Sequence, residues 1–223
     1  MKKYKNIFIT VISILLTIMN ISPVLGVEND SKYPTLRELV ISGEIDLKEM
    51  VMPEEYSLNE FVAATVSIYA SSSGSSSLST SGHAWIVIRE KRAARTYGNY
   101  RVSNGNSITM GTWGNKGYDG IWYNLESELR TSFTPSSTVY LKTAVMGDQI
   151  NTFTNALPNL NSWSLTNNCT GFAIKAWNKT GAPSIASVTT PTALRDNIKK
   201  VSGYKTGISD SDFVDAAKDT RHY

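Results

Sequence analysis

Hydrophobic and polar positions divide the chain into three regimes. An apolar run fills 7–21. Residues 27–60 are polar and acidic, with short apolar repeats. After residue 82, runs of strand formers alternate with apolar residues at helical spacing, which reads as a mixed α+β domain. Strands are predicted over 83–90 (His-Ala-Trp-Ile-Val-Ile-Arg-Glu), 96–102, 107–113 and 138–145. Asn104-Gly105-Asn106 predicts a turn between the second and third of these. Helices are predicted from Asp148 (Ile150, Phe153, Leu157, ended by Pro158), around Cys169 (Phe172, Ala173, Ala176, Trp177, stopped by Gly181 and Pro183), and from Thr190-Pro191 (Leu194, Ile198, Val201, closed by Gly203). In the acidic region Thr35 is placed to cap a short helix carrying Leu36, Leu39 and Val40. Ser57-Leu58-Asn59-Glu60 has the form of a capping box, followed by Phe61, Val62, Thr65, Val66 and Tyr69 at helical spacing. The β-branched alternation within 64–70 suits a strand instead. The fold expected is α+β: a short antiparallel sheet packed against helices, preceded by a helical arm.

The pattern also sets the expected organisation. Residues 1–26 read as a secretory signal peptide: Lys2, Lys3 and Lys5, then the apolar run, then Val24-Leu25-Gly26 before a cut. The run is too short to favour a permanent anchor, so no membrane span is expected after signal removal. No cysteine follows it, which excludes a lipidated one. Residues 27–70 form an acidic arm or pro-segment, 71–81 a Ser/Gly linker, and 82–223 a domain long enough for one packed core. Charge sharpens this division. Residues 27–60 hold nine acidic and three basic residues, net −6; from residue 61 on, 16 basic and 10 acidic residues give +6. Either the arm lies as a pro-segment on the basic domain, or it is a solvated helical extension.

Composition narrows the chemistry. The single cysteine, Cys169, can form no internal disulfide, which suits an exported protein with a reactive thiol or a small buried hydrophobe. One cysteine and two histidines cannot build a structural zinc site, and no phosphate loop is present, so no cofactor is expected. Basic residues are scattered rather than clustered, so nucleic acid is not an expected partner.

Cys169 falls at the first turn of its predicted helix, where Asn167 or Asn168 is placed to cap the backbone N–H groups. The positive helix end favours the thiolate there. A nucleophilic cysteine needs a base, and His83, at the start of the first strand, is the well-placed internal histidine; His222 lies next to the C-terminus. If 107–113 pairs back antiparallel on the histidine strand, Thr112 or Asn115 comes near His83 and would orient its imidazole.

A histidine on a strand followed by a cysteine on a helix, with Asn168-Cys169-x-x-Phe172-Ala173 at the helix start, resembles the permuted papain-like thiol hydrolases. These are relatives of the NlpC-type cell-wall endopeptidases, with the lecithin:retinol acyltransferase-like proteins as a distant branch. The resemblance spans roughly residues 82–177. It implies a cysteine helix packed on an antiparallel sheet carrying His83, and a peptide or cell-wall substrate. The family also places a third polar residue on the strand after the histidine strand, where this chain has no His, Gln or Asn. The expected function is thus a secreted bacterial cysteine peptidase or amidase, extracellular or associated with the cell wall. The reading from another class is a non-catalytic secreted binding or toxin-like module, with Trp113, Trp122 and Tyr123 as its contact surface. The sequence leaves the oligomeric state open.

Overall fold

The computed structural model describes residues 34–52, 56–72, 82–114, 120–213 and 221–222. The expected signal peptide and most of the Ser/Gly linker lie outside these residues. The described chain is α+β. Its main sheet has seven strands in the order β8-β7-β1-β2-β5-β6-β9, and every pairing in it is antiparallel. The strands are β1 (Val62–Ser71), β2 (His83–Glu90), β5 (Ser107–Thr112), β6 (Ile121–Tyr123), β7 (Thr138–Met146), β8 (Lys205–Thr206) and β9 (Arg221–His222). A small hairpin, β3 (Arg95–Tyr97) and β4 (Tyr100–Val102), stands apart from it. The helices are α1 (Leu36–Ile41), α2 (Leu125–Glu128), α3 (Gly147–Leu160), α4 (Cys169–Trp177) and α5 (Pro191–Ile198).

Alternation along the strands builds two apolar layers. Val66 and Ile68 of β1, Ile86 and Ile88 of β2, and Leu141 of β7 face Ile150 and Phe153 of α3, Phe172 and Trp177 of α4, and Leu194 of α5. Tyr69, Trp85, Val87 and Tyr140 form the opposite layer, covered by Phe133, Ile208 and Phe213. Helix α4 lies across β1, β2 and β5. That crossing sets its first residue against the end of the sheet where β2 begins.

The main departure from expectation is β1. The expected division puts residues 62–70 in a peripheral arm and Ser71 at the start of the linker that bounds the domain. Together they form the sheet strand between β2 and β7, buried along its whole length. The boundary at 71–81 is therefore wrong: the domain includes β1. The capping-box residues do hydrogen-bond locally. The Ser57 N–H donates to Glu60 Oε1 at 3.3 Å, and the Glu60 N–H to the Ser57 carbonyl at 3.1 Å. They close a turn and not a helix, because both faces of the β-branched run that follows are claimed by the sheet layers.

Upstream of β1, Thr35 and Glu38 make a reciprocal capping box, with the Glu38 N–H on Thr35 Oγ1 at 3.2 Å and the Thr35 N–H on Glu38 Oε2 at 2.7 Å. Helix α1 then packs Leu36 and Leu39 on Val62, Ala144 and Met146. Helix α3 runs to Leu160, two residues past the predicted stop, with Pro158 in its last turn. Among the described residues no helix is long and apolar enough to cross a membrane.

A chain beginning at residue 77 would separate β2 from β7 by a missing strand. It is expected to show no cooperative thermal unfolding by circular dichroism. Ile68→Ala in the full chain is expected to cost about 2–5 kcal/mol in a denaturant titration, the range for emptying a packed aliphatic site.

Candidate active site

The cysteine helix starts as its sequence demands. Asn168 is the N-cap, its Oδ1 accepting from the Gly171 N–H at 3.1 Å, while its Nδ2 ties the cap to the Thr189 carbonyl at 2.8 Å. Asn167 does not cap; it closes the preceding loop by donating to the Ser162 carbonyl at 2.7 Å. Phe172, Ala173, Ala176 and Trp177 are buried against the sheet. Cys169, the first helical residue, is a free thiol left part-exposed at the sheet end.

His83 opens β2 opposite Ser71 of β1. The chain enters through Gly82 at φ +114°, where a Cβ would lie 2.0 Å from the Ser71 carbonyl oxygen, so only glycine fits. The imidazole and the Cys169 thiol stand on the same cleft wall and act on each other's ionisation, and the backbone N–H of the next residue, Ala84, also favours the charged sulfur. His83 Nε2 donates to Glu126 Oε1 at 2.9 Å, which leaves Nδ1 for the thiol.

Glu126 is the residue that sequence reasoning missed. It sits in α2 and is fully buried. Strand β6 ends at Tyr123, and Asn124 takes a left-handed turn at φ 60°. The Asn124 N–H donates to the Thr109 carbonyl at 3.0 Å, and its side-chain oxygen accepts from the Thr109 N–H at 3.2 Å. This knot turns the chain back under β5 and aims Glu126 at the histidine. Its carboxylate takes three donors: His83, the Trp113 indole N–H at 2.8 Å on the same oxygen, and the Thr109 hydroxyl at 2.8 Å on the other. Gly111 makes the space, since a Cβ there would lie 2.1 Å from Glu126 Oε1 and 3.0 Å from His83 Nε2. A glycine inside the run Ser-Ile-Thr-Met-Gly-Thr-Trp was the one sequence signal of this close approach.

The predicted orienters fare differently. Thr112 lines the cleft but does not hold the imidazole; its buried hydroxyl has no hydrogen-bond partner among the described residues. Neighbouring strand residues point to opposite faces, so Gly111, and not Thr112, faces the His83–Glu126 pair. Asn115 lies outside the described residues. The aromatic trio is also divided. Trp113 lies over His83, with ring centroids 3.8 Å apart, whereas Tyr123 is buried in the main core. The three do not make one contact surface.

Electrostatics follow from this packing. Burial opposes a charged imidazole, but the hydrogen bonds to Cys169 and Glu126, with their negative charges, outweigh it and lift His83 to about 9. Burial likewise works to raise the Cys169 thiol. The His83 hydrogen bond and charge, the Ala84 N–H and the Thr170 side chain carry it below its ordinary value. The arrangement therefore favours a thiolate–imidazolium pair. It faces an open cleft of about 400 Å³ lined by Gly82, Thr112, Trp113, Gly114, Trp163, Leu165, Asn168 and Pro191. Among the described residues no three His, Cys, Asp or Glu side chains converge as a metal centre requires. We found no family model, curated protein or solved structure that matches the chain.

Glu126→Gln is expected to lower the His83 pKa from about 9, read by NMR titration of the imidazole. Gly111→Ala is expected to reproduce that drop with both partners left unsubstituted, because its methyl group displaces the carboxylate. An unchanged His83 titration in both variants would show that the carboxylate does not control the imidazole.

Proposed function

We propose that this protein is a cysteine hydrolase that cleaves an amide bond. One observation carries the reading: Cys169, at a helix start, shares an open cleft with His83, whose other side is hydrogen-bonded to the buried Glu126. Cys169 Sγ attacks the substrate carbonyl as thiolate, forming the C–S bond. Developing charge on the carbonyl oxygen falls to backbone N–H groups at the start of α4, which helix geometry leaves without intrahelical acceptors. Imidazolium His83 then gives its proton to the leaving nitrogen as the C–N bond breaks. In the second half His83, now neutral, takes a proton from water; the hydroxide opens the thioester and releases a carboxylic acid, restoring the ion pair. Glu126 touches no substrate. It is a positioning residue that fixes the imidazole orientation and stabilises its charged form.

The fold order, histidine strand before cysteine helix, supports the permuted papain-like reading. Glu126 departs from that family's pattern, because it comes from α2 after β6 and not from the strand following the histidine strand. Export follows from the lysine-led apolar N-terminus, so the substrate proposed is a peptide of the extracellular face or cell wall.

Cys169→Ser and His83→Ala are each expected to lower turnover by several orders of magnitude, with the double variant little worse than either, because the two act as one device. The assay is release of amino groups from purified cell wall and from peptide libraries. The pH profile of kcat/KM is expected to be bell-shaped. Its acid limb lies below the ordinary cysteine value near 8.5. Its basic limb falls near 9, where His83 loses the proton owed to the leaving amine. Wild-type turnover in both single variants would remove the hydrolase from this site.

A further inference from the structure

The composition of the cleft wall goes beyond what the bond-breaking step needs. Apart from His83 and Cys169, no described residue lining it is ionisable. Its larger walls are Trp113, Trp163, Leu165 and Pro191. Leu165 is 66% exposed, a large apolar side chain left uncovered beside Cys169. Trp163 lies flush on the backbone of Gly114, where a Cβ would come within 2.3 Å of its ring. The loop that presents Trp163 and Leu165 is braced from within. Asn167 donates to the Ser162 carbonyl at 2.7 Å, its N–H donates to the Ser164 carbonyl at 3.1 Å, and its side-chain oxygen accepts from Lys175 Nζ at 2.8 Å. The wall is therefore in place before substrate arrives.

Such a cleft discriminates by desolvation. An apolar group exchanges water for the two indoles and the leucine. A carboxylate or ammonium next to the reacting carbonyl would lose its water and, apart from the mutually paired His83 and Cys169, meet no countercharge among the described lining residues. The volume, about 400 Å³, sits toward the lower end of the roughly 300–1,000 Å³ of small-molecule sites. That is room for one large side chain beside the scissile bond. We infer that this cleft is an acyl subsite which takes one uncharged, apolar residue, aromatic or branched aliphatic, and rejects acidic and basic ones. The inference rests on the hydrolase reading and narrows its substrate class.

The test uses the full chain and four acyloxymethyl ketone probes that differ only in the residue beside the ketone: Phe, Leu, Glu or Lys. Cys169 Sγ attacks the methylene carbon; the C–S bond forms, and the acyloxy group leaves as carboxylate. Labelling rates are read by intact mass. The Phe and Leu probes are expected to react at least about tenfold faster than the Glu and Lys probes. Trp163→Ala is expected to bring the Phe-to-Glu ratio toward one. Leu165→Arg, at an exposed position that tolerates a long polar chain, is expected to shift the ratio toward Glu. Equal rates for all four probes on the native chain, or a ratio unmoved in both variants, would overturn the subsite. Iodoacetamide separates the two levels of the argument. If it alkylates native Cys169 at mild pH while the probes show no preference, the subsite falls and the nucleophile stands. If Cys169 reacts only after unfolding, both fall.

Discussion

The site depends on one buried contact, the 2.9 Å hydrogen bond from His83 Nε2 to Glu126 Oε1. A carboxylate withdrawn from water is costly unless its oxygens are filled. Here three donors fill them, from β2, from β5 and from the residue just after β5. Each donor imposes a demand on the chain around it. Thr109 must face inward on β5, Gly111 must lack a side chain, and Trp113 must fold its indole over the histidine. Asn124 must turn left-handed so that α2 runs back beneath the sheet. Once these conditions hold, one nitrogen of the imidazole is committed to the acid and the other is free for the thiol.

The sheet supplies the second half of the geometry. With β1 between β2 and β7, the start of β2 is held by pairing to Ser71 and by the close approach of Gly82 to the same residue. Helix α4 crosses the far side of this frame, so its positive end meets the strand start and its first residue meets His83. Neither element needs to move to bring thiol and imidazole together. That preorganisation is what the proposed catalytic role of the pair draws on.

The opposite face of the sheet shows where part of the charge imbalance goes. Lys91, nearly buried, pairs with Glu44 at 3.0 Å, and burial pulls its pKa down from the ordinary value. Lys142 pairs with Asp212 at 2.5 Å and lies 3.8 Å from Glu49. Asp212 in turn accepts from the Tyr69 hydroxyl at 2.6 Å. Two acids of the N-terminal region thus neutralise lysines set on the sheet, on the opposite face from α4. The region serves as part of the domain's packing, with α1 closing a cluster on Val62 and Met146.

How much of this was legible depends on the range of the forces involved. The Cys169 helix and its Asn168 cap, the His83 strand and the Thr190-Pro191 helix start are local matters, settled by hydrogen bonds within a few residues and by apolar spacing along one element. The sequence by itself therefore determined them, and the scarcity of cysteine and histidine singled out the pair. The role of 62–71 was not local. Its helical capping signal is a few residues long, while the strand is decided by burial on two faces against residues up to some 140 positions away. The third member of the site was further from reach. Glu126 stands 43 positions from His83 in the chain and looks like any acid after an aromatic run. Only the tertiary structure, by kinking at Asn124 and leaving a gap at Gly111, turned that acid inward and put it where a threonine had been expected, because which face a side chain reaches is set by pairing register and not by nearness in sequence.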